Sequence, residues 1–301
     1  MSDLETEPTV ACVVLNWHDV PRTVACVSRL LEVANLTSIW VVDNESDGDL
    51  VPELAELGSP LVQSVTSPVN LGFSAGMNLG LVHAARQADL VLCVNNDLLI
   101  SGGDVAGLSA ALMADPTLDM VAPEIENADG SIVRGGEFRP WTFGTREGAD
   151  VCEPDFLTWA CVMLRADALH RLGLLDERFF MYWEDVEFAL RVRRAGRRFR
   201  TVPESRAFHE LSASHERAAG WVDCYSTYGV VALGRLIGGR ARAGSWVRVL
   251  ARVGKSVARR DGRRTRFHLL GVRLALSAAA RRGRPAHEVV ASYRGRELRH
   301  D

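Results

Sequence analysis

The stretch VNNDLLI, Val94 to Ile100, closes an apolar run with Asn95, Asn96 and Asp97. A polar triplet after a strand is the ordinary signature of a turn. It also brings one carboxylate to a strand tip, where Mg2+ or Mn2+ takes hard oxygen ligands alongside phosphate oxygens and water. The residue types leave both readings open. Two earlier apolar runs end the same way, VACVVLN at Asn16 and SIWVVDNES at Asp43 and Asn44. The segment NLGFSAGMN adds Asn70, Gly72, Gly76 and Asn78. Its glycines let a backbone approach a ligand closely and its amides donate and accept, although a plain helix entry has the same composition. In WEDVEF, Glu184 and Asp185 stand side by side at a helix start. Acids there favour the helix dipole, and adjacent positions point in different directions. His209, in FHELSAS, follows a strand and is either a satisfied structural group or a metal ligand.

These residues need a scaffold. Residues 10–16 read as a buried strand, and Pro21 opens a helix whose Val24, Val27, Leu30 and Leu31 share a face. SIWVVDNES is a second strand and LVQSVT a third. A helix capped by Ser74 runs to about Arg86, and LVLCVNND is a fourth strand. Strands alternating with helices predict parallel βαβ units, with the ligand crevice beyond the carboxyl ends of the strands. Asn16, Asp43 and Asn95 to Asp97 should therefore face one nucleotide-sized crevice. Farther on, EIENADGSIVRGGEF reads as a hairpin turning at Asp129-Gly130, and FLTWACVMLR as a buried strand. Residues 182–195 form an amphipathic helix stopped by Gly196, and FRTVP is a short strand ending before Pro203. From about residue 217 three helices follow, over Trp221–Leu236, Trp246–Ala258 and Phe267–Ala280.

Composition narrows the class. The first ten residues lack the basic and apolar regions of a signal peptide, and no apolar run reaches the ~18 residues of a membrane span. Six scattered cysteines without a CxxC read as reduced thiols of a cytosolic protein. Charge is uneven: from Val230 onward there are 18 Arg or Lys against 4 Asp or Glu, and before it 17 against 34. A basic tail on an acidic body is either a solvated arginine-rich surface or a surface drawn to an anionic partner. No nucleic-acid-binding module is recognisable, so nucleic acid is not expected as that partner.

The succession VVLNW, VVDNES, NLGFSAGMN, VNND, WACVMLR, FFMYWEDVEFALRVRRAG and FHELSAS resembles the inverting family-2 glycosyltransferases of GT-A fold, in their rhamnosyltransferase-like branch. The likeness covers roughly residues 9–215. It implies an α/β fold with a mostly parallel, Rossmann-like sheet flanked by helices, a catalytic domain over residues 1–216 and a basic helical region over 217–301. It further implies a dTDP- or UDP-sugar donor, dTDP-rhamnose or another deoxysugar being favoured by the branch. Asp43 would accept hydrogen bonds from base or ribose, with Asn16, Asn44, Asn70, Gly72, Gly76, Asn78, Asn95 and Asn96 on the donor side. Asp97 would hold a divalent cation, Mg2+ or Mn2+, with His209 as a further ligand. Asn95 departs from the family's Asp-x-Asp and adds no charge. Asp185 would be the base and Glu184 would bind hydroxyls. Trp159, where relatives have Gly, and Ala160 would face the acceptor, with Arg139 and Trp141 covering the donor. Trp246, Val249, Leu250 and Val253 beside Arg248, Arg252 and Lys255 suit either peripheral contact with the inner face of a membrane or the interface of a homodimer. The acceptor would be a lipid-linked glycan or a secondary metabolite. The rival reading is a non-catalytic nucleotide-sugar-binding scaffold of the same fold.

Overall fold

The computed structural model describes residues 7–45, 48–210 and 220–297. The expected boundary at 216/217, Ser46 of VVDNES and residues 211–214 of FHELSAS lie outside them. The first half alternates as expected: β1 (Val10–Asn16), α1 (Val20–Leu30), β2 (Leu36–Asn44), α2 (Leu50–Glu56), β3 (Val62–Ser67), α3 (Gly72–Gln87), β4 (Leu90–Asn95), β5 (Leu98–Ile100), α4 (Gly102–Ala114) and β6 (Leu118–Asn127). Then come β7 (Ile132–Val133), β8 (Gly136–Arg139), β9 (Gly144–Glu147), β10 (Cys161–Arg165), α5 (Ala166–Leu172), α6 (Glu184–Arg194) and β11 (Arg198–His209). Five helices close the chain: α7 (Trp221–Ile237), α8 (Gly239–Ala258), α9 (Gly262–Ala275), α10 (Ala278–Arg281) and α11 (Ala286–Glu297).

The main sheet has the order β3-β2-β1-β4-β10-β6-β11-β5, with β7 on β6, while β8 and β9 pair separately. β1 runs parallel to β2 and β4, and β10 lies antiparallel between β4 and β6. β1 and β4 are apolar at successive residues because both faces are covered. Cys12, Val14 and Leu92 pack toward α1 and α4, and Ala11, Val13 and Cys93 toward α3 and α5.

Local sequence explains how close α3 lies to this sheet. Gly72, Gly76 and Gly80 repeat at one-turn spacing on one face. A Cβ would fall 2.9 Å from Leu15 Cδ1 at Gly76 and 2.4 Å from Val13 Cγ1 at Gly80. Gly76 thus admits strand side chains rather than a ligand, which corrects its expected donor role. Ser74 is not the cap: the helix starts two residues earlier, and Ser74 Oγ is buried with no partner among the described residues. The entry is held instead by Asn44 Oδ1 accepting from Leu71 N at 2.9 Å and Asn70 Oδ1 accepting from Gly72 N at 2.8 Å.

β11 corrects a second expectation by continuing through Pro203. Its register with β6 jumps between Val202 and Arg206, so the proline, which has no N–H to donate, sits in a bulge. Past the bulge the strand pairs His209 with Leu98 and with Asn127. The hairpin at Asp129-Gly130 forms as expected, with Gly130 at φ +79°.

The C-terminal helices share one core with the site-bearing half. Phe143, Phe156, Phe180 and Trp183 pack with Tyr228, Val249 and Leu274. The apolar stripe expected on α8 divides. Val249 is buried and Trp246 and Val253 pack inward, while the exposed apolar residues are Val247, Leu250 and Val257. Among the described residues no helix is long and apolar enough to cross a membrane.

Candidate active site

The carboxyl ends of β1 and β4, the β9 end and α7 enclose a cavity of about 710 Å³, the size of a small-molecule or nucleotide site. Asn44, Asn70, Gly72, Asn95, Asn96, Asp97, Trp159, Ala160, Glu184, Asp185 and His209 all line it. Of the sequence-predicted residues, Asn16, Asp43, Gly76 and Asn78 do not.

The first polar centre is Asp97. It is buried, and its Oδ1 lies 3.2 Å from His209 Nε2. The other ring nitrogen of His209, Nδ1, lies 3.1 Å from Asn127 Oδ1. An amide oxygen only accepts, so Nδ1 donates to it and Nε2 is the ring nitrogen turned toward Asp97. That is how a histidine is oriented as a metal ligand, with an outer hydrogen bond choosing the tautomer. The bulge in β11 makes this meeting across 112 residues. Among the described residues no cluster of three or more His, Cys, Asp or Glu is gathered for a metal. Asp97 and His209 fit a divalent cation that takes its other ligands from phosphate and water.

The strand tips beside it are braced internally. Thr23 Oγ1 donates to Asn16 Oδ1 at 2.7 Å and accepts from Asn96 Nδ2 at 2.9 Å, so Asn16 ties two tips together instead of reaching a donor. Asn78 is likewise corrected. Its amide bonds Leu175 N at 3.0 Å, Leu175 O at 2.9 Å and Glu177 Oε1 at 3.1 Å, latching α3 to the segment before α6. Asp43 is fully buried at the tip of β2. Its Oδ1 accepts from Asn16 Nδ2 at 3.3 Å, and its Oδ2 has no partner among the described residues. A buried carboxylate oxygen left unpaired costs stability, and such groups mark places where a ligand completes the structure.

The second centre is the acid pair. Tyr182 and Trp183 both sit in the left-handed region, φ +70° and +77°, so α6 starts at Glu184 rather than at residue 182. Two strained non-glycine residues in succession persist only where the surroundings over-determine them. Here Phe73 N donates to Phe180 O at 2.6 Å, and Trp183 Nε1 donates to Ser226 O in α7 at 3.0 Å. Gly72 makes the first contact possible, since at φ +80° its Cβ would stand 2.3 Å from Phe180 O. Glu184 is buried, with Oε2 lacking a partner among the described residues. Burial, then the neighbouring Asp185, pushes its carboxyl well above the usual carboxylate range. Asp185 is partly exposed to the cavity. Burial also pushes it up, the Glu147 carboxylate adds to this, and the Val186 N–H it accepts at 2.7 Å opposes it. Burial therefore outweighs the helix N-terminus, which by itself lowers a carboxyl.

Trp159 packs in a T-shaped contact against Phe188 at 5.1 Å and lines the cavity. Ala160 O accepts from Asn95 N at 2.8 Å, coupling β4's tip to the start of β10. Arg139 and Trp141 do not line the cavity; Trp141 is exposed beneath Arg240, 4.8 Å from its ring. Glu147, Asn127, the left-handed pair and Arg252 of α8 were not foreseen. No local pattern marks them, because each reaches the site through tertiary contact.

A sequence profile described as "Glycosyl transferase family 2" matches residues 11–173. The "N-acetylglucosaminyl-diphospho-decaprenol L-rhamnosyltransferase" of Mycobacterium tuberculosis is 27% identical over 243 residues, 70% of this chain and 78% of that one. The "Low-salt glycan biosynthesis hexosyltransferase Agl10" of Haloferax volcanii is 26% identical over 196 residues, 62% of each chain. Among solved structures, the mannosyltransferase PcManGT of Pyrobaculum calidifontis, in complex with GDP-Man and Mn2+, aligns with a TM-score of 0.57 at 17% identity over 98% of this chain and 81% of its own. GalNAc-T7 with UDP, GalNAc and Mn2+ aligns at 0.60 and 15% identity over 85% of this chain, which spans only 58% of it. At these identities the structures establish the fold, a GT-A-like mixed α/β sheet with added C-terminal helices. The profile match over more than half of the chain and the rhamnosyltransferase relative together show that the chain belongs to glycosyl transferase family 2, in its rhamnosyltransferase-like branch.

Proposed function

We propose that the chain transfers a sugar, with inversion, from a dTDP- or UDP-sugar to a hydroxyl of a lipid-linked glycan. The observation that carries this is one cavity holding both the Asp97–His209 pair and the Glu184–Asp185 pair. Inversion by single displacement needs a base on the acceptor side and charge stabilisation on the leaving side, with no covalent intermediate. Asp185 takes the proton of the acceptor hydroxyl as its oxygen attacks the anomeric carbon. Its raised carboxyl is a stronger base than an ordinary aspartate and is still ionised at mildly alkaline pH. Glu184 offers its unpaired oxygen to sugar or acceptor hydroxyls. Asp43 accepts from the nucleoside, and Asn44 and Asn70 shape the loop against which it lies. Trp159 and Ala160 border the acceptor.

Asp97 and His209 would hold a divalent cation, Mg2+ or Mn2+, which when bound neutralises the departing diphosphate. With Asn95 uncharged and only two protein ligands, cation and nucleotide should enter together. Both structural relatives are complexes with Mn2+, which supports this assignment, as the decaprenol-linked substrate in the curated relative's name supports a lipid-linked acceptor. The exposed Val247, Leu250 and Val257 on arginine-rich α8 suit peripheral contact at the cytoplasmic face.

The test is a panel of nucleotide sugars with and without Mn2+ or Mg2+, followed by thermal shift and slow donor hydrolysis. Stabilisation by one nucleotide that deepens with metal is expected, and no response to any nucleotide defeats the proposal. Full activity of Asp185→Asn would move the base to another residue. For the membrane contact, flotation with anionic liposomes should carry the protein upward, and protein remaining wholly in solution opposes it.

A further inference from the structure

One cationic pair on α8 has no carboxylate within ion-pairing distance among the described residues. Arg252 of α8 lines the same cavity as Asp185 and has, among the described residues, one hydrogen bond, a 3.4 Å contact to Thr227 Oγ1. Arg248, one turn earlier, has a buried Nε with no partner among the described residues. The nearby carboxylate, Asp223, attracts Arg252 only from beyond ion-pairing distance. Asp223 is taken by Arg264, through Nε at 2.8 Å and Nη2 at 2.9 Å, with His268 Nε2 a further 3.7 Å away. Among the described residues neither Arg248 nor Arg252 has a carboxylate within ion-pairing distance. Burial, then the like charge of Arg248, pulls Arg252 down to about 10. Two half-buried guanidinium groups side by side without a close counter-ion cost stability, which a fold sustains where a ligand supplies the missing charge.

We propose that Arg252, backed by Arg248, seats the phosphate or diphosphate of the acceptor, and that the acceptor's apolar chain leaves along α8. This rests on the transferase reading above and gives its acceptor side an anion site. The placement favours the acceptor over the donor for two reasons. The donor's diphosphate already has the Asp97–His209 centre, at the tips of β5 and β11. Also, the helix that aims Arg252 inward carries exposed Val247, Leu250 and Val257 on its outer face, with relative exposures of 52%, 69% and 58%. A free sugar or a flat secondary metabolite needs neither feature. An arginine fork matches phosphate oxygens, and an adjoining apolar face matches a prenyl chain.

The test uses the full chain and farnesyl diphosphate below its micelle concentration, with farnesol and inorganic pyrophosphate as controls. Titration by calorimetry should show binding of farnesyl diphosphate, weaker binding of pyrophosphate and none of farnesol. Arg252→Gln and Arg248→Gln should each weaken farnesyl diphosphate roughly tenfold or more, with Arg252→Lys in between. Thermal shift by UDP or dTDP with Mn2+ should be unchanged in these variants. Because the pair has no carboxylate within ion-pairing distance among the described residues, both Gln variants should fold and melt no lower than wild type. Equal affinity of wild type and variants for farnesyl diphosphate overturns the proposal. Loss of the nucleotide response with farnesyl diphosphate binding intact also overturns it, by assigning the arginines to the donor. If arginine-dependent binding of farnesyl diphosphate is found in a chain that takes no nucleotide, the anion seat stands and the transferase reading falls.

Discussion

Substituting Gly72 with alanine isolates the contact that positions the acid pair, and Gly130 supplies its control. Both glycines have nearly the same backbone, φ +80° and +79°. A Cβ at Gly130 meets nothing within 4 Å, whereas at Gly72 it meets Phe180 O at 2.3 Å and the Phe180 ring at 2.8 Å. Left-handed strain is therefore common to both, about 1–2 kcal/mol for an L-residue. Gly72→Ala adds the loss of the Phe73–Phe180 hydrogen bond, about 1 kcal/mol, and overpacking of about 1–3 kcal/mol. Urea titration should thus show about 1–2 kcal/mol lost in Gly130→Ala and about 3–6 kcal/mol in Gly72→Ala. Phe180 leads through the left-handed Tyr182 and Trp183 into Glu184 and Asp185, so a shift there displaces the base. A misplacement near 1 Å costs roughly 10²-fold in turnover, which donor hydrolysis or transfer would report for Gly72→Ala alone. Equal destabilisation of the two variants, with wild-type turnover in both, would refute the claim that this close approach positions the acid pair.

Asp185→Asn should lower turnover by roughly 10²–10⁴ while leaving nucleotide binding in place. Its stability effect has a sign. The native carboxyl is raised above its unfolded value, so the wild type is most stable below the unfolded carboxylate range and loses that stability as pH climbs through the raised native value. Thermal melts should accordingly place Asp185→Asn above wild type at pH 8 and level with it near pH 4, and wild-type activity should rise with pH over the same window. Asp97→Asn should abolish the extra thermal shift that Mn2+ gives with nucleotide, while sparing the shift from nucleotide alone. His209→Gln should weaken Mn2+ without abolishing it, read by titrating the metal at fixed nucleotide. Asp43→Asn should weaken nucleotide binding by roughly 10- to 100-fold, the worth of a charged hydrogen bond, as measured by calorimetry.

The parts legible in the sequence are those decided by local composition. Unbroken apolar runs at residues 10–15 and 90–94, rich in β-branched residues, read as strands covered on both faces, and strand-helix alternation brings their carboxyl ends together. That was enough to place Asp97 at the crevice and Glu184-Asp185 at the start of α6. The Asn-rich loops were harder, because an asparagine that binds a ligand and one that braces the chain have the same local context. Asn78 proved a latch to Leu175, and Asn16 a tie through Thr23 to Asn96, each decided by a partner far along the chain.

The sequence by itself determined the strand tips, their polar residues and the family pattern, since apolar runs, turn chemistry and helix starts are written within a few neighbouring residues. Only the tertiary structure decided what those residues meet. A bulge at Pro203 sets His209 against Asp97, and backbone contact at Gly72 holds the left-handed approach to Asp185. Burial lifts two carboxyls that a helix N-terminus would otherwise lower. Register, close approach and desolvation depend on segments more than a hundred residues apart, and no local pattern encodes them.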